Sequence, residues 1–133
     1  MINSKIIKIA SNTKYVGLNN IFTHKSSIKN LVCGDKIKLE LLVDKNKLNF
    51  MRYETESCIL CEASASLLAN KLRNYPLTKL EKDLKYLKKN IMEKNLFIPK
   101  KFKEYKLLLN RNNKNRLNCI LLPLNGVLRA FKK

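Results

Sequence analysis

Residues 36–43 alternate without a break, with Ile37, Leu39, Leu41 and Val43 on one face and Lys36, Lys38 and Glu40 on the other. That is the period of a half-buried strand. Asp44-Lys45-Asn46-Lys47 is a turn signal, and residues 48–54, with Phe50, Met51 and Tyr53, read as a second strand. The two strands are expected to pair as an antiparallel hairpin. Ahead of them, residues 21–28 read as an edge strand and residues 3–11 as a short helix with Ile6, Ile7 and Ala10 on its apolar face.

From Cys58 the period changes. Cys61, Ala65, Leu68 and Leu72 recur at helical spacing, Ser57 offers an N-cap, and Pro76 closes the helix. Thr78-x-x-Glu81 has the form of a capping box and opens a helix with the apolar stripe Leu80, Leu84, Leu87 and Ile91. Pro99 begins a shorter helix with Phe102, Tyr105 and Leu109, and residues 110–115 form a polar loop. Pro123 is tolerated only in a first turn, which places the start of the last helix near residues 119–122. Strands come first and helices later. The expected class is α+β, a small antiparallel sheet of about three strands with helices on one face, and residues 1–133 are read as one domain.

Charge adds a second layer. The formal net charge is +18, and the excess is uneven: residues 1–70 carry ten Lys/Arg against six Asp/Glu, residues 71–133 eighteen against four. Such a field favours acidic partners, nucleic acid or anionic lipid. Lys outnumbers Arg by 23 to 5, and Asn and Ile are abundant, so an A+T-rich coding sequence accounts for the surface equally well. The opening residues show no signal-peptide pattern, and no run approaches the roughly 20 apolar residues of a membrane span. The expectation is a soluble, cytoplasmic protein without a membrane partner, whose four cysteines are reduced and available to metal or sulfur.

The hairpin makes a geometric prediction about those cysteines. Facing residues of an antiparallel pair keep a constant index sum. A turn centred between Lys45 and Asn46 sets that sum at 91, which Cys33 and Cys58 also satisfy. The two should reach the same end of the sheet with Asp35 beside them. Thiolates bind zinc, iron or sulfur-bridged iron, and a carboxylate is a harder, more labile ligand. Cys58 and Cys119 both fall at predicted helix starts, where anions are favoured, and Arg116 lies three residues before Cys119. Cys61 lies on an apolar stripe and reads as a small core residue.

These residues also carry a resemblance. Cys33-Gly34-Asp35 leading into an alternating strand resembles the CGD motif of the NifU/IscU/SufU iron–sulfur cluster assembly scaffolds. The run from Cys58 to Ser66 is similar to that family's second motif, a cysteine followed by an ASAS-type run, and Arg116-Leu117-Asn118-Cys119 resembles the RxxC motif of the SufU branch. The resemblance implies a SufE/NifU-like fold. It also implies that Cys33, Asp35, Cys58 and Cys119 ligate zinc or hold a transient iron–sulfur cluster, with Arg116 just outside them. Sulfur would arrive as a persulfide from a cysteine desulfurase onto Cys119 or Cys33, and apo iron–sulfur proteins would receive the product. The protein would be a non-enzymatic scaffold or, alternatively, a zinc-dependent sulfurtransferase that never holds a cluster. The Ala63–Ser66 run would let its helix pack closely on the sheet. The IscU branch has histidine where this chain has Asn118, and Phe97-Ile98-Pro99-Lys100-Lys101 does not reproduce its LPPVK chaperone segment.

Other chemistries find less support. The one histidine, His24, has no serine partner in a nucleophile turn, and three glycines make no phosphate loop. Cys58-x-x-Cys61 lacks the βαβ context of a thiol oxidoreductase. The five Tyr and five Phe are scattered and form no stacking platform for nucleic acid.

Overall fold

The computed structural model describes residues 4–31, 34–93, 98–109 and 116–132. Cys33 and the polar loop expected at residues 110–115 lie outside the described residues. A four-stranded antiparallel sheet runs in the order β1 (His24–Lys29), β2 (Lys36–Asp44), β3 (Lys47–Glu56) and β4 (Tyr75–Pro76). The helices are α1 (Ser4–Ala10), α2 (Ile59–Lys71), α3 (Leu77–Met92) and α4 (Leu117–Ala130), with a 3₁₀ segment at Lys100–Leu107. The α+β expectation holds, with a fourth, two-residue strand added.

The hairpin forms as its pattern dictates. Lys45 and Asn46 adopt φ of 52° and 63°, the type I′ geometry that matches strand twist. Asp44 faces Lys47 and Val43 faces Leu48, but a register shift follows and Leu42 faces Phe50. Asn49 is the extra residue of this bulge. The index sum is 91 beside the turn and 92 from Leu42 to Lys36, a one-residue departure from the expected register.

Ile37, Leu39 and Leu41 are buried beneath the helices. Across them lies α4, which approaches closely at Gly126. A β-carbon there would come within 2.8 Å of Leu39 Cδ2, and Ser26 Oγ donates to the Gly126 carbonyl at 2.7 Å. Glu40, expected on the charged outer face, is instead buried, and its carboxylate accepts the backbone N–H groups of Asn19 and Asn20. A loop covers that face locally and needs an acceptor there. In α1, Ile6 is buried while Ile7 is exposed.

Three helix boundaries differ from the sequence reading, each for a physical reason. Cys58, not Ser57, is the N-cap of α2, with β-region backbone (φ −72°, ψ 165°). Thr78 lies inside α3 rather than capping it. Leu77 N–H donates to the Asn46 carbonyl at 2.9 Å, so the hairpin turn supplies a partner at the helix start, while Glu81 pairs with Lys85. Pro123 sits in the interior of α4. A proline there costs about 3 kcal/mol, but the helix buries Ile120, Leu121, Leu122, Leu124 and Val127, each worth about 1.5–3 kcal/mol, so burial wins. The stripe Leu80, Leu84, Leu87 and Ile91 is buried as read. The segment after Pro99 is 3₁₀ with a kink at Phe102; Phe102 and Tyr105 are buried, and Leu108 is more deeply buried than Leu109.

Candidate metal centre

Strand β2 starts at one end of the sheet, β3 finishes there, and α2 follows three residues later. The chain before β2 is shaped by Gly34, at φ +80°. Its β-carbon position is open, so glycine is needed there for backbone conformation rather than space. Gly34 N–H donates to the Asn30 carbonyl at 2.8 Å, and Asn30 N–H to the Asp35 carbonyl at 2.7 Å. This turn directs Asp35 inward to 7% exposure. There Oδ1 accepts the N–H of Cys58 at 3.2 Å. A carboxylate thereby holds the backbone of the α2 N-cap.

Cys58 is half-buried, and Cys119, the third residue of α4, is buried. One ligand atom from each of Asp35, Cys58 and Cys119 lies within 4.8 Å of the others. Donors around one tetrahedral zinc sit about 3.5–3.8 Å apart, given Zn–S near 2.3 Å, so the three need only close slightly on an ion. Asp35 Oδ2 is buried and has no hydrogen-bond partner among the described residues. An unmatched buried carboxylate oxygen is costly, and a cation between two thiols would satisfy it. Two sulfurs and one oxygen fit zinc or ferrous iron and leave a fourth position to fill.

The pairing of α2 with α4 depends on a contact that sequence reasoning missed. Ser64 is fully buried in α2. Its Oγ donates to the Ile120 carbonyl at 2.6 Å and lies 3.1 Å from the Tyr105 hydroxyl, which also donates to the Ser64 carbonyl at 2.9 Å. Burial pushes the Tyr105 phenol well above its ordinary range, against the lowering effect of the Ser64 hydrogen bond. This network ties the residue after Cys119 to the helix that Cys58 begins. The available signal was two serines, 64 and 66, inside a stretch buried on nearly every side. The run Ala63–Ser66 does permit close packing, although α2 packs more heavily on α4 and α1 than on the sheet.

Arg116 is exposed at the N-cap position of α4. Cys61 is fully buried in the hydrophobic core and is not part of the ligand group. His24 packs against Phe131 with the rings tilted by 46° and their centroids 4.6 Å apart, and its Nδ1 lies 2.9 Å from Thr23 Oγ1. None of the described helices is long and apolar enough to cross a membrane.

Comparison with known proteins identifies relatives of the whole chain and of its fold. The chain is 26% identical over 134 aligned residues to the iron–sulfur cluster assembly scaffold protein IscU of Thermotoga maritima, covering all of this chain and 94% of that protein. The fold matches the N-terminal region of a nitrogen-fixing NifU-like protein from Brucella abortus, with TM-score 0.84, 20% identity, and 96% and 90% of the two chains covered. It also matches a SUF-system scaffold protein from Fervidobacterium islandicum, with TM-score 0.81, 22% identity, and 98% and 96% covered. Residues 1–109 match the family model of the NifU-like N-terminal domain, and the chain belongs to that family.

Proposed function

We propose that this protein is a cytoplasmic iron–sulfur cluster assembly scaffold. Cys33, Asp35, Cys58 and Cys119 hold iron or zinc, and sulfur comes from a cysteine desulfurase. The observation that carries this reading is the grouping of an Asp35 carboxylate oxygen with the Cys58 and Cys119 sulfurs within 4.8 Å of one another, on a carboxylate whose Oδ2 is buried without a hydrogen-bond partner among the described residues. The family and the IscU relative support it. Iron and sulfide are cargo, and a mixed thiolate–carboxylate set suits cargo because the carboxylate is the more easily exchanged donor.

Sulfur acceptance is a thiol–persulfide exchange. The thiolate of Cys119 or Cys33 attacks the outer sulfur of the desulfurase persulfide. A new S–S bond forms on the scaffold, and the donor cysteine leaves as thiolate. Cys119 starts this from the first turn of α4, where the helix dipole favours an anion. Asp35, by fixing the Cys58 N–H, keeps the second thiol within reach. Apo iron–sulfur proteins receive the product.

The test is anaerobic incubation of the metal-free protein with ferrous iron, cysteine, a cysteine desulfurase and a dithiol that reduces the outer persulfide sulfur to sulfide. A visible sulfide-to-iron chromophore held by the wild type and lost in Cys58→Ser is expected. Failure to retain iron together with no stimulation of the desulfurase would contradict the proposal. The Arg116-x-x-Cys119 arrangement favours one second reading, a zinc-dependent sulfurtransferase of the SufU type. That reading predicts persulfide turnover with tightly held zinc and no chromophore.

A further inference from the structure

A groove of about 700 Å³ lies far along α4 from Cys119, between the C-terminal halves of α3 and α4 and strand β1. Arg129 lies ten positions beyond Cys119, about 15 Å along a helix. Ile28, Met92 and Leu128 give the groove apolar lining, and Met92 is 57% exposed. Lys85, Lys88, Lys89, Arg129 and Lys132 also line it, against one acidic residue, Glu93. Lys85 is partly occupied by Glu81 at 2.7 Å.

We propose that this groove docks an acidic segment of a partner protein, with an apolar side chain seated on Ile28, Met92 and Leu128 and carboxylates meeting the lysines and Arg129. Charge complementarity sets the sign of the occupant. The apolar lining requires an anchor that a polyanion lacks. A second copy of this chain does not fit, because a protein of net charge +18 with ten Asp and Glu repels itself. Nucleic acid fits poorly as well, since among the described residues no aromatic ring lines the groove on which a base could stack. A concave surface also suits a protein segment better than a flat bilayer. The proposal is independent of the metal-centre reading, because none of its residues belongs to that group.

The experiment measures binding of four probes by fluorescence anisotropy or co-sedimentation. They are a labelled peptide with leucines flanked by Glu and Asp, its leucine-to-serine counterpart, a single-stranded RNA, and phosphatidylserine vesicles. The leucine peptide should bind wild-type protein best, with the serine peptide at least about fivefold weaker. Lys89→Glu/Arg129→Glu, both at exposed positions, should weaken the peptide about tenfold or more. Lys5→Glu/Lys8→Glu on α1 makes the same change in net charge at exposed positions elsewhere and should cost less than about twofold. Metal content should not change in either variant. Methyl signals of Ile28, Met92 and Leu128 in wild-type protein should shift on titration, a readout that needs no variant. Absent peptide binding, equal losses in the two charge variants, methyl shifts elsewhere, or tighter capture of RNA or vesicles would each overturn the proposal.

Discussion

Replacing Ser64 by Ala removes one buried hydroxyl and tests how α2 and α4 are held together. The hydroxyl donates to the Ile120 carbonyl at 2.6 Å and meets the Tyr105 hydroxyl at 3.1 Å. Ile120 lies inside α4, so its carbonyl keeps a place in the helical ladder when Ser64 is gone. The Tyr105 hydroxyl keeps its bond to the Ser64 carbonyl at 2.9 Å. The loss is therefore about one to two net hydrogen bonds, or about 1–2 kcal/mol. Part of that should appear at the metal centre, because Ile120 follows Cys119 directly and the helix carrying Ser64 starts at Cys58. Zinc affinity is expected to fall about three- to tenfold. Urea unfolding of the metal-free protein reads the first quantity, and anaerobic competition against a zinc chelator reads the second. A double-mutant cycle with Tyr105→Phe should show coupling of about 0.5 kcal/mol or more. Leu48→Ala, a buried change beside the hairpin turn, should cost about 2–5 kcal/mol and leave zinc affinity nearly unchanged. If Ser64→Ala left zinc affinity intact while stability fell, or changed neither, the clamp between the helices would be refuted.

Other perturbations follow from the same contacts. Gly126→Ala should destabilise by about 1–3 kcal/mol in urea titration, because its new methyl meets Leu39 2.8 Å away. Asp35→Asn keeps an oxygen to accept the Cys58 N–H but removes the charge, so zinc affinity should drop at least about tenfold with little change in unfolding. Cys61→Ala should cost about 1 kcal/mol as a loss of core volume and leave metal stoichiometry as it was. Burial raises the phenols of Tyr53, Tyr75 and Tyr105, with Asp83 adding to the effect at Tyr75. Their folded values exceed the unfolded one near 10.0, so the folded state holds their protons longer. Their contribution is fully present below pH of about 10 and declines above it, by up to about 1.4 kcal/mol per pH unit for each tyrosine. Urea midpoints falling as pH rises past that point, with delayed native tyrosinate absorbance, check the sign.

Much of the fold could be read because its signals are local. The alternation from Lys36 to Val43 and the turn at Asp44–Lys47 needed only neighbouring residues, and the stripe of α3 likewise. The bulge at Asn49 could not be read, since it depends on how two strands settle against each other. Glu40 looked like an exposed strand residue because the loop that covers it comes from residues 19 and 20. Pro123 and Thr78 misled for one shared reason: local propensity is worth a few kcal/mol or less, and tertiary burial or a carbonyl from the hairpin turn outweighs it. In the candidate site, Cys58, Asp35 and Cys119 were nameable from motif and pairing. The Ser64–Tyr105–Ile120 network was not, because its members are 41 and 56 residues from Ser64 and look like ordinary helix residues.

The central claim is that two thiols and a carboxylate share one ion. Anaerobic cobalt(II) titration tests it most directly, since cobalt replaces zinc or ferrous iron and reports sulfur ligation through thiolate-to-metal charge-transfer bands. The account predicts saturation at one cobalt per chain, with those bands weakened by Cys58→Ser and by Cys119→Ser and untouched by Cys61→Ala. Cobalt bound without thiolate bands, or bands of undiminished intensity in both serine variants, would contradict it.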